Sequence, residues 1–382
     1  MKSEQTRKEK KTVVILDVHL DNFYAFHNFH MNLTYPKKIV GSTIPDEHLA
    51  GRPNFRYKKL NIIMGANATG KSTFGRMLMK IFNFMSRMSY DFLTSVICDT
   101  SKDATFVLDM ASSQNILYRL ACKITPSKGG VYVPENVELE IRSESIRSKD
   151  SYESCVQRMI VAPYISKNNF VEELEKIDPL DWMFEYPKDI NRTLHLPNED
   201  KTFCAVLENL LRALDPAIIK VEMSKDVKNA YVVRFSDRSI ILQDGDPFAT
   251  EILSSGTKAG VEIANIISAQ KQGLNTFFYC DEKFSYIHSD IEKAVISLMI
   301  ELLHPNDQLF FTTHNTDILT MDLPKHAFTF LRKNTEIPEC PIVCVEASSL
   351  LKRSTDSLKN AVENDLFSAA PSVDLIYALA DN

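Results

Sequence analysis

The sequence predicts an α/β fold: a P-loop head on a mixed sheet, with an antiparallel β subdomain and a helical insertion. Three observations carry that expectation. From residue 257 onward, helical and extended patterns alternate, as in a parallel sheet with covering helices. Between residues 104 and 141, apolar residues recur at alternate positions, the period of half-buried antiparallel strands. Lastly, the apolar run Leu60-Asn61-Ile62-Ile63-Met64 leads straight into Gly65-Ala66-Asn67-Ala68-Thr69-Gly70-Lys71-Ser72, a glycine-bearing turn ahead of a helical stripe.

Taken in order, residues 1–11 read as a flexible tail, because Arg7-Lys8-Glu9-Lys10-Lys11 is short, basic and mixed with acid. Thr12–Val18 and His27–Leu33 read as strands joined by Asn22-Phe23-Tyr24-Ala25-Phe26, and the polar stretch 36–56 reads as a loop. After the strand Lys59–Met64 and the glycine turn, Phe74, Met77, Leu78, Ile81 and Met85 mark a helix reaching about Tyr90. Ala104–Met110, Ile116–Ile124 and Val131–Ile141 form the expected β subdomain, residues 104–142. Residues 143–215 form the helical insertion, polar as far as 200, with helices at Phe170–Ile177 and 203–214. Strands at Ile218–Met223, Tyr231–Phe235 and Ile240–Leu242 follow. The alternating part then comprises helices 257–270, 290–303 and 315–321, and strands 276–280, 308–312, 327–331 and 341–345. No heptad pattern is long enough for a coiled-coil arm, so residues 12–382 are expected to form one head.

The 382 residues are 44% hydrophobic and 25% charged, which suits a folded globular chain. A net charge of -6 argues against a surface wholly given to nucleic acid, while a local basic face stays open. The seven cysteines include no CxxC pair, and several lie within apolar runs, so core thiols in a reducing compartment are expected. Neither a signal-peptide core nor a membrane-length apolar run is present, and the expected location is the cytoplasm, with no membrane partner.

The chemistry begins at the glycine turn. Glycines let consecutive backbone N–H groups point at phosphate oxygens, so Gly65, Asn67, Ala68, Thr69, Gly70, Lys71, Ser72 and Thr73 are the candidate nucleotide-binding residues. Lys71 would reach the β and γ phosphates, and the Ser72 hydroxyl would ligate Mg²⁺. Thr276-Phe277-Phe278-Tyr279-Cys280-Asp281-Glu282 is an apolar strand ending in two acids. There Asp281 is the second candidate Mg²⁺ ligand and Glu282 the group that polarises the attacking water. Leu253-Ser254-Ser255-Gly256-Thr257 opens a helix whose N-terminus suits a γ-phosphate, and an ordinary Ser-Ser-Gly cap is the plain alternative. His314, after the strand Gln308–Thr312, is the third catalytic candidate beside Lys71 and Glu282.

This order resembles the ABC-type ATPases, a class that includes SMC heads, RecF and the OLD-like (overcoming lysogenisation defect) AAA ATPases. The wording is most similar to the OLD-like group: Asn22-Phe23-Tyr24-Ala25-Phe26, Gly65-Ala66-Asn67 and Thr312-Thr313-His314-Asn315 fit its motifs. Leu253–Thr257 resembles the LSGGQ signature with Ser255 and Thr257 as variants, and Ser285–Asp290 stands at the D-loop. The resemblance covers residues 12–335 and is weak over 143–215, where Gln157 is the only candidate Q-loop glutamine. OLD nucleases continue into a metal-binding TOPRIM domain; here Val343-Cys344-Val345-Glu346 has no DxD after it, so nuclease activity is not expected of this chain.

What the resemblance implies is an ATP- and Mg²⁺-dependent ATPase with slow turnover. Two heads would sandwich the nucleotide, Ser254, Ser255 and Gly256 of one copy completing the site of the other. The expected role is a sensor or regulator in bacterial antiviral (anti-phage, abortive-infection) defence. It would act as a homodimer or higher oligomer with a separately encoded effector such as a nuclease or toxin. A RecF-like DNA-binding repair ATPase is the alternative, and nucleic acid is left open as a partner.

Overall fold

A computed structural model describes residues 12–39, 41–161, 169–178, 180–186, 196–197, 200–244, 253–334, 337, 339–353, 356–368, 377 and 379. The expected tail, 1–11, and part of the expected insertion lie outside the described residues. In chain order, β1 (Val13–Asp21), β2 (Phe29–Asn32), β3 (His48–Leu49), β4 (Arg52–Arg56) and β5 (Leu60–Met64) precede α1 (Lys71–Arg87) and α2 (Asp91–Thr94). Next come β6 (Ala104–Ser112), β7 (Ile116–Ile124), β8 (Val137–Ser145), α3 (Tyr152–Val161) and α4 (Phe170–Leu174). The middle comprises β9 (Trp182–Glu185), α5 (Lys201–Leu214), β10 (Ile218–Met223), β11 (Ala230–Phe235), β12 (Ser239–Gln243), α6 (Ser255–Gln272), β13 (Phe277–Asp281) and α7 (Ser289–Glu301). The last part holds β14 (Gln308–Thr312), β15 (Phe328–Lys333), β16 (Ile342–Glu346), α8 (Ala347–Leu350) and α9 (Leu358–Glu363). The fold is mixed α/β, and the chain divides into two compact units.

The larger unit comprises Lys11–Leu180 and Pro305–Asn382. In it β5 pairs in parallel with β14 on one side and β15 on the other, while β16 runs antiparallel to β15. All five residues of β5 and all five of β14 are buried, as continuous apolar runs covered on both faces must be. Register sets Thr312 beside Ile63 and Phe330 beside Met64, so these strands end flush, at the edge where α/β sheets bind ligands. Helix α1 buries Phe74, Met77, Leu78, Ile81, Phe82 and Phe84, the apolar stripe read from the sequence with Phe84 in place of half-buried Met85.

The unit's other sheet is antiparallel throughout, in the order β2-β1-β6-β7-β8. Its buried polar centre is Asp109, fully enclosed, whose two oxygens accept from Arg119 Nε at 2.7 Å and Nη2 at 2.6 Å. The Tyr152 hydroxyl from α3 donates to the same carboxylate at 2.5 Å. Deleting one member of such a buried, charge-assisted set costs about 3–5 kcal/mol, because the others lose their partner.

The smaller unit is Asp181–His304. It pairs β9 with β13 in parallel and β10, β11 and β12 as an antiparallel meander. Helices α5 and α6 meet closely at Gly260, where an added Cβ would stand 2.6 Å from Leu214 Cδ1.

Several boundaries differ from the sequence expectation, each for a local reason. Strand β8 begins at Val137, six residues after Val131, because Gly129 and Gly130 take left-handed φ and Pro134 lacks an N–H for pairing. The loop 36–56 contains the pair β3–β4, a two-stranded ribbon that tolerates Pro53. Residues 315–321 hold a 3₁₀ turn, Thr316–Thr320, in place of an α-helix. The polar insertion contains strand β9, too short to show an alternating pattern. Burial pushes the thiol of Cys155 up to about 12, as expected for a cysteine held as a core residue. Among the described residues, no helix is long and apolar enough to cross a membrane.

Candidate functional site

The glycine turn forms a compact loop between β5 and α1, within the larger unit. Its backbone turns left-handed at Ala68 (φ 62°) and Gly70 (φ 98°), with Gly65 at φ 143°. Gly65 is dictated twice over, since a Cβ there would lie 2.2 Å from the Leu331 carbonyl oxygen of β15. Thr69 is buried and its hydroxyl donates to the Ala66 carbonyl at 2.9 Å, tying the loop across its own mouth. Lys71 Nζ donates to the carbonyls of Gly65 (2.9 Å) and Ala66 (3.1 Å), which holds the ammonium folded against the loop.

The helix start has the features that favour an anion. Gly70 is the N-cap of α1 with no side-chain cap, and the first turn contains no acid. The first intrahelical bond runs from Phe74 N–H to the Gly70 carbonyl at 2.7 Å, so the donors ahead of it have no intrahelical acceptor. Together with the helix dipole, that favours a phosphate at this end. Ser72 and Thr73, both half-buried, carry hydroxyls within this first turn. Asn67 and Ala68 are exposed at the loop's crest.

His314 joins this loop through sheet register. Because β14 lies beside β5 and ends flush with it, the residues after Thr312 emerge next to Met64 and Gly65. The Thr313 N–H donates to the Ile63 carbonyl at 3.3 Å. His314, exposed, thereby lines a cleft of about 540 Å³ with Gly65, Ala66, Asn67, Thr313 and Thr316. The far wall was not legible in the sequence: Phe330, Val362, Glu363, Asp365 and Phe367 complete it. Phe367 stacks on Phe330 with centroids 4.0 Å apart and planes at 8°, and this pins the segment after α9 to β15. No motif marks that segment, so only the fold reveals it.

The remaining candidates belong to the smaller unit. Asp281 closes β13 and is buried; Glu282 follows, half-buried, with its backbone at φ 49°. Sequence reasoning missed their neighbour Lys283, 3% exposed, whose Nζ contacts Glu262 at 2.6 Å and Glu185 at 3.5 Å. Lys283 Nζ also donates to the Tyr186 carbonyl, so β9, α6 and the turn after β13 are bound to one ammonium. The fixed charge steadies the turn bearing Glu282.

Ser254 is the N-cap of α6, its Oγ accepting from Thr257 N–H at 3.1 Å and lying 2.8 Å from Thr257 Oγ1. The hydroxyl is thus engaged as a helix cap. Ser254 and Ser255 are exposed, and an added Cβ at half-buried Gly256 would come 3.3 Å from the Tyr286 carbonyl. Gln157 lies mid-way along α3 on its exposed side, within a helix and not in a loop.

No protein-family model matches this sequence, and no curated protein matches it. Solved structures that it is similar to are SMC head domains. One is an SMC head bound to the C-terminal winged-helix domain of ScpA, at 12% identity and TM-score 0.49, covering 88% of this chain and 99% of that one. Another is the SMC head domain from Thermotoga maritima, at 11% identity and TM-score 0.43, covering 87% and 98%. A third is an SMC head with an extended coiled coil, bound to the C-terminal domain of ScpA, from Pyrococcus furiosus; it gives 11% identity and TM-score 0.48, covering 89% and 98%. At this level of likeness, the chemistry has to be read from the chain's own residues.

Proposed function

We propose that this chain binds ATP with Mg²⁺ and hydrolyses it slowly, with a second copy of the chain completing each site. The observation that carries the reading is the start of α1, an uncapped helix N-terminus beneath a left-handed loop, with Lys71 folded over it. A phosphate chain fits that cradle, and the Ser72 hydroxyl is the hard oxygen donor that Mg²⁺ takes. Mg²⁺ would neutralise phosphate charge as it develops in phosphoryl transfer.

The other roles rest on the order of motifs in the sequence. In this reading Asp281 serves Mg²⁺, Glu282 polarises water, and His314 steadies the γ-phosphate. Ser254, Ser255 and Gly256 of the second copy would meet the same nucleotide. Bound ATP then acts as a removable charged contact between two copies, so the useful output is the state of the assembly. The resemblance to OLD-like ATPases supports a regulator of anti-phage defence that acts with a separately encoded effector.

Titration of the purified chain with ATP and Mg²⁺, beside Lys71→Ala, tests the binding step. Micromolar binding by the parent and an affinity roughly 100-fold lower in the variant is the expected result. Equal affinities would remove the phosphate-loop assignment. A second test addresses the wider role: strong, salt-sensitive stimulation of hydrolysis by DNA would favour the repair reading instead.

A further inference from the structure

The antiparallel sheet carries a second concentration of metal-binding side chains, which the nucleotide reading does not use. Asp17 and His19 stand two residues apart on β1, so the pleat sends both side chains to one face. His30 on β2 lies directly across from His19 in the antiparallel register. The result is a close triad. His19 Nε2 is 2.7 Å from one Asp17 oxygen, and His30 Nε2 is 2.9 Å from the other. The two imidazoles stack with centroids 4.0 Å apart and planes at 7°. One donor atom from each residue lies within 4.8 Å of the other two.

Burial gives the triad a floor and an open side. The Asp17 side chain is 7% exposed, whereas those of His19 and His30 are 50% and 48% exposed. A buried carboxylate needs a cation or strong donors to offset its lost hydration. Asp109, directly across from Asp17 on β6, has a permanent cation in Arg119. Among the described residues, Asp17 has ion-pair contacts only with the two histidines. A single cation shared by the three groups would offset the buried carboxylate, with the two imidazoles as its nitrogen ligands.

We propose that Asp17, His19 and His30 form a site for one divalent transition-metal ion, with Zn²⁺ the best match to the donors. Two imidazole nitrogens and one carboxylate oxygen are a borderline set that suits Zn²⁺, whereas Mg²⁺ and Ca²⁺ take oxygen cages. Three protein ligands leave coordination positions on the solvent side for water or a group from a partner molecule. The ion would clasp β2 to β1 across their pairing, independently of any nucleotide at the phosphate loop.

The test uses the full chain, stripped with a chelator and then dialysed, without nucleotide. Calorimetric titration with Zn²⁺ is expected to give one tight site per chain. His19→Ala and His30→Ala are each expected to weaken it by at least ~10-fold while the circular dichroism of the fold stays unchanged. His27→Ala, which alters a nearby histidine outside the triad, is expected to keep full affinity. Co²⁺ supplies the second readout. Nitrogen and oxygen ligation gives visible d–d bands without the near-ultraviolet thiolate band that a cysteine ligand would add. Equal Zn²⁺ affinity in His19→Ala, His30→Ala and the parent would overturn the proposal. So would a cobalt thiolate band, which would mark adventitious binding at cysteine only. If His30→Ala fails to fold, His30→Gln beside His19→Ala keeps the measurement available.

Discussion

Two helices in this chain begin in opposite ways. Helix α1 starts at Gly70 with a left-handed backbone and no side-chain cap, whereas α6 starts at Ser254 with its hydroxyl already bonded to Thr257. Both starts lack acids in the first turn. The first start has no side-chain acceptor at its N-cap, and its loop needs an unusual backbone: glycine at two positions and a left-handed alanine between them. The second is an economical cap on an exposed surface. Under the proposed function, a helix start that takes an anion by itself is built with local strain, and one that meets an anion only when a second copy brings it stays capped until then.

Four outcomes would break or sharpen that contrast, taken from the largest effect down. Gly65→Ala forces a Cβ against the Leu331 carbonyl at an unfavourable φ. Chemical denaturation is expected to show a loss of about 3 kcal/mol, with ATP binding abolished. An unchanged midpoint would mean the loop is not strained. Glu282→Gln is expected to slow hydrolysis by roughly 100-fold while leaving ATP affinity intact. Under the second-copy reading, size-exclusion chromatography with ATP then shows an accumulated dimer; hydrolysis at the parent rate would reassign the base. Ser254→Ala is expected to cost about 1 kcal/mol of stability, as loss of a cap does. Ser254→Gly should cost only a few tenths of a kcal/mol, and it separates the roles: a capping-only serine leaves ATP-dependent association untouched in the glycine variant. The fourth is Met88→Gly at the left-handed C-cap of α1, where a gain of about 0.5–1 kcal/mol in thermal unfolding is expected.

The parts of the site that were legible in the sequence are those whose chemistry is local. Gly65 to Ser72 stands out as a candidate because a phosphate cradle needs particular residues at consecutive positions. His314 was readable as a strand-end residue, and its place beside Gly65 follows from strands 5 and 14 pairing in flush register. The wall at Phe330, Val362 and Phe367 was not readable, since an apolar residue that lines a cleft looks like one that fills a core. Lys283 escaped for a related reason: a lysine after two acids reads as surface charge until the fold buries it between Glu262 and Glu185. The triad of Asp17, His19 and His30 was hidden because its third member, His30, is brought in by the cross-strand register of β1 with β2. Strand β9, four residues of Trp-Met-Phe-Glu, is below the length at which periodicity can be judged.

The position of β5 has a consequence for how the molecule is made. Its parallel neighbours are strands carrying residues 309 and 328, opposite residues 60 and 62 of its own. A ribosome releases the glycine loop long before it releases either neighbour, so the nascent loop has no sheet to brace it. Such distant pairings close late and slowly. Gly65 cannot settle against Leu331 until that late strand has arrived. The glycine loop therefore gains its bracing contact only in chains made past residue 331.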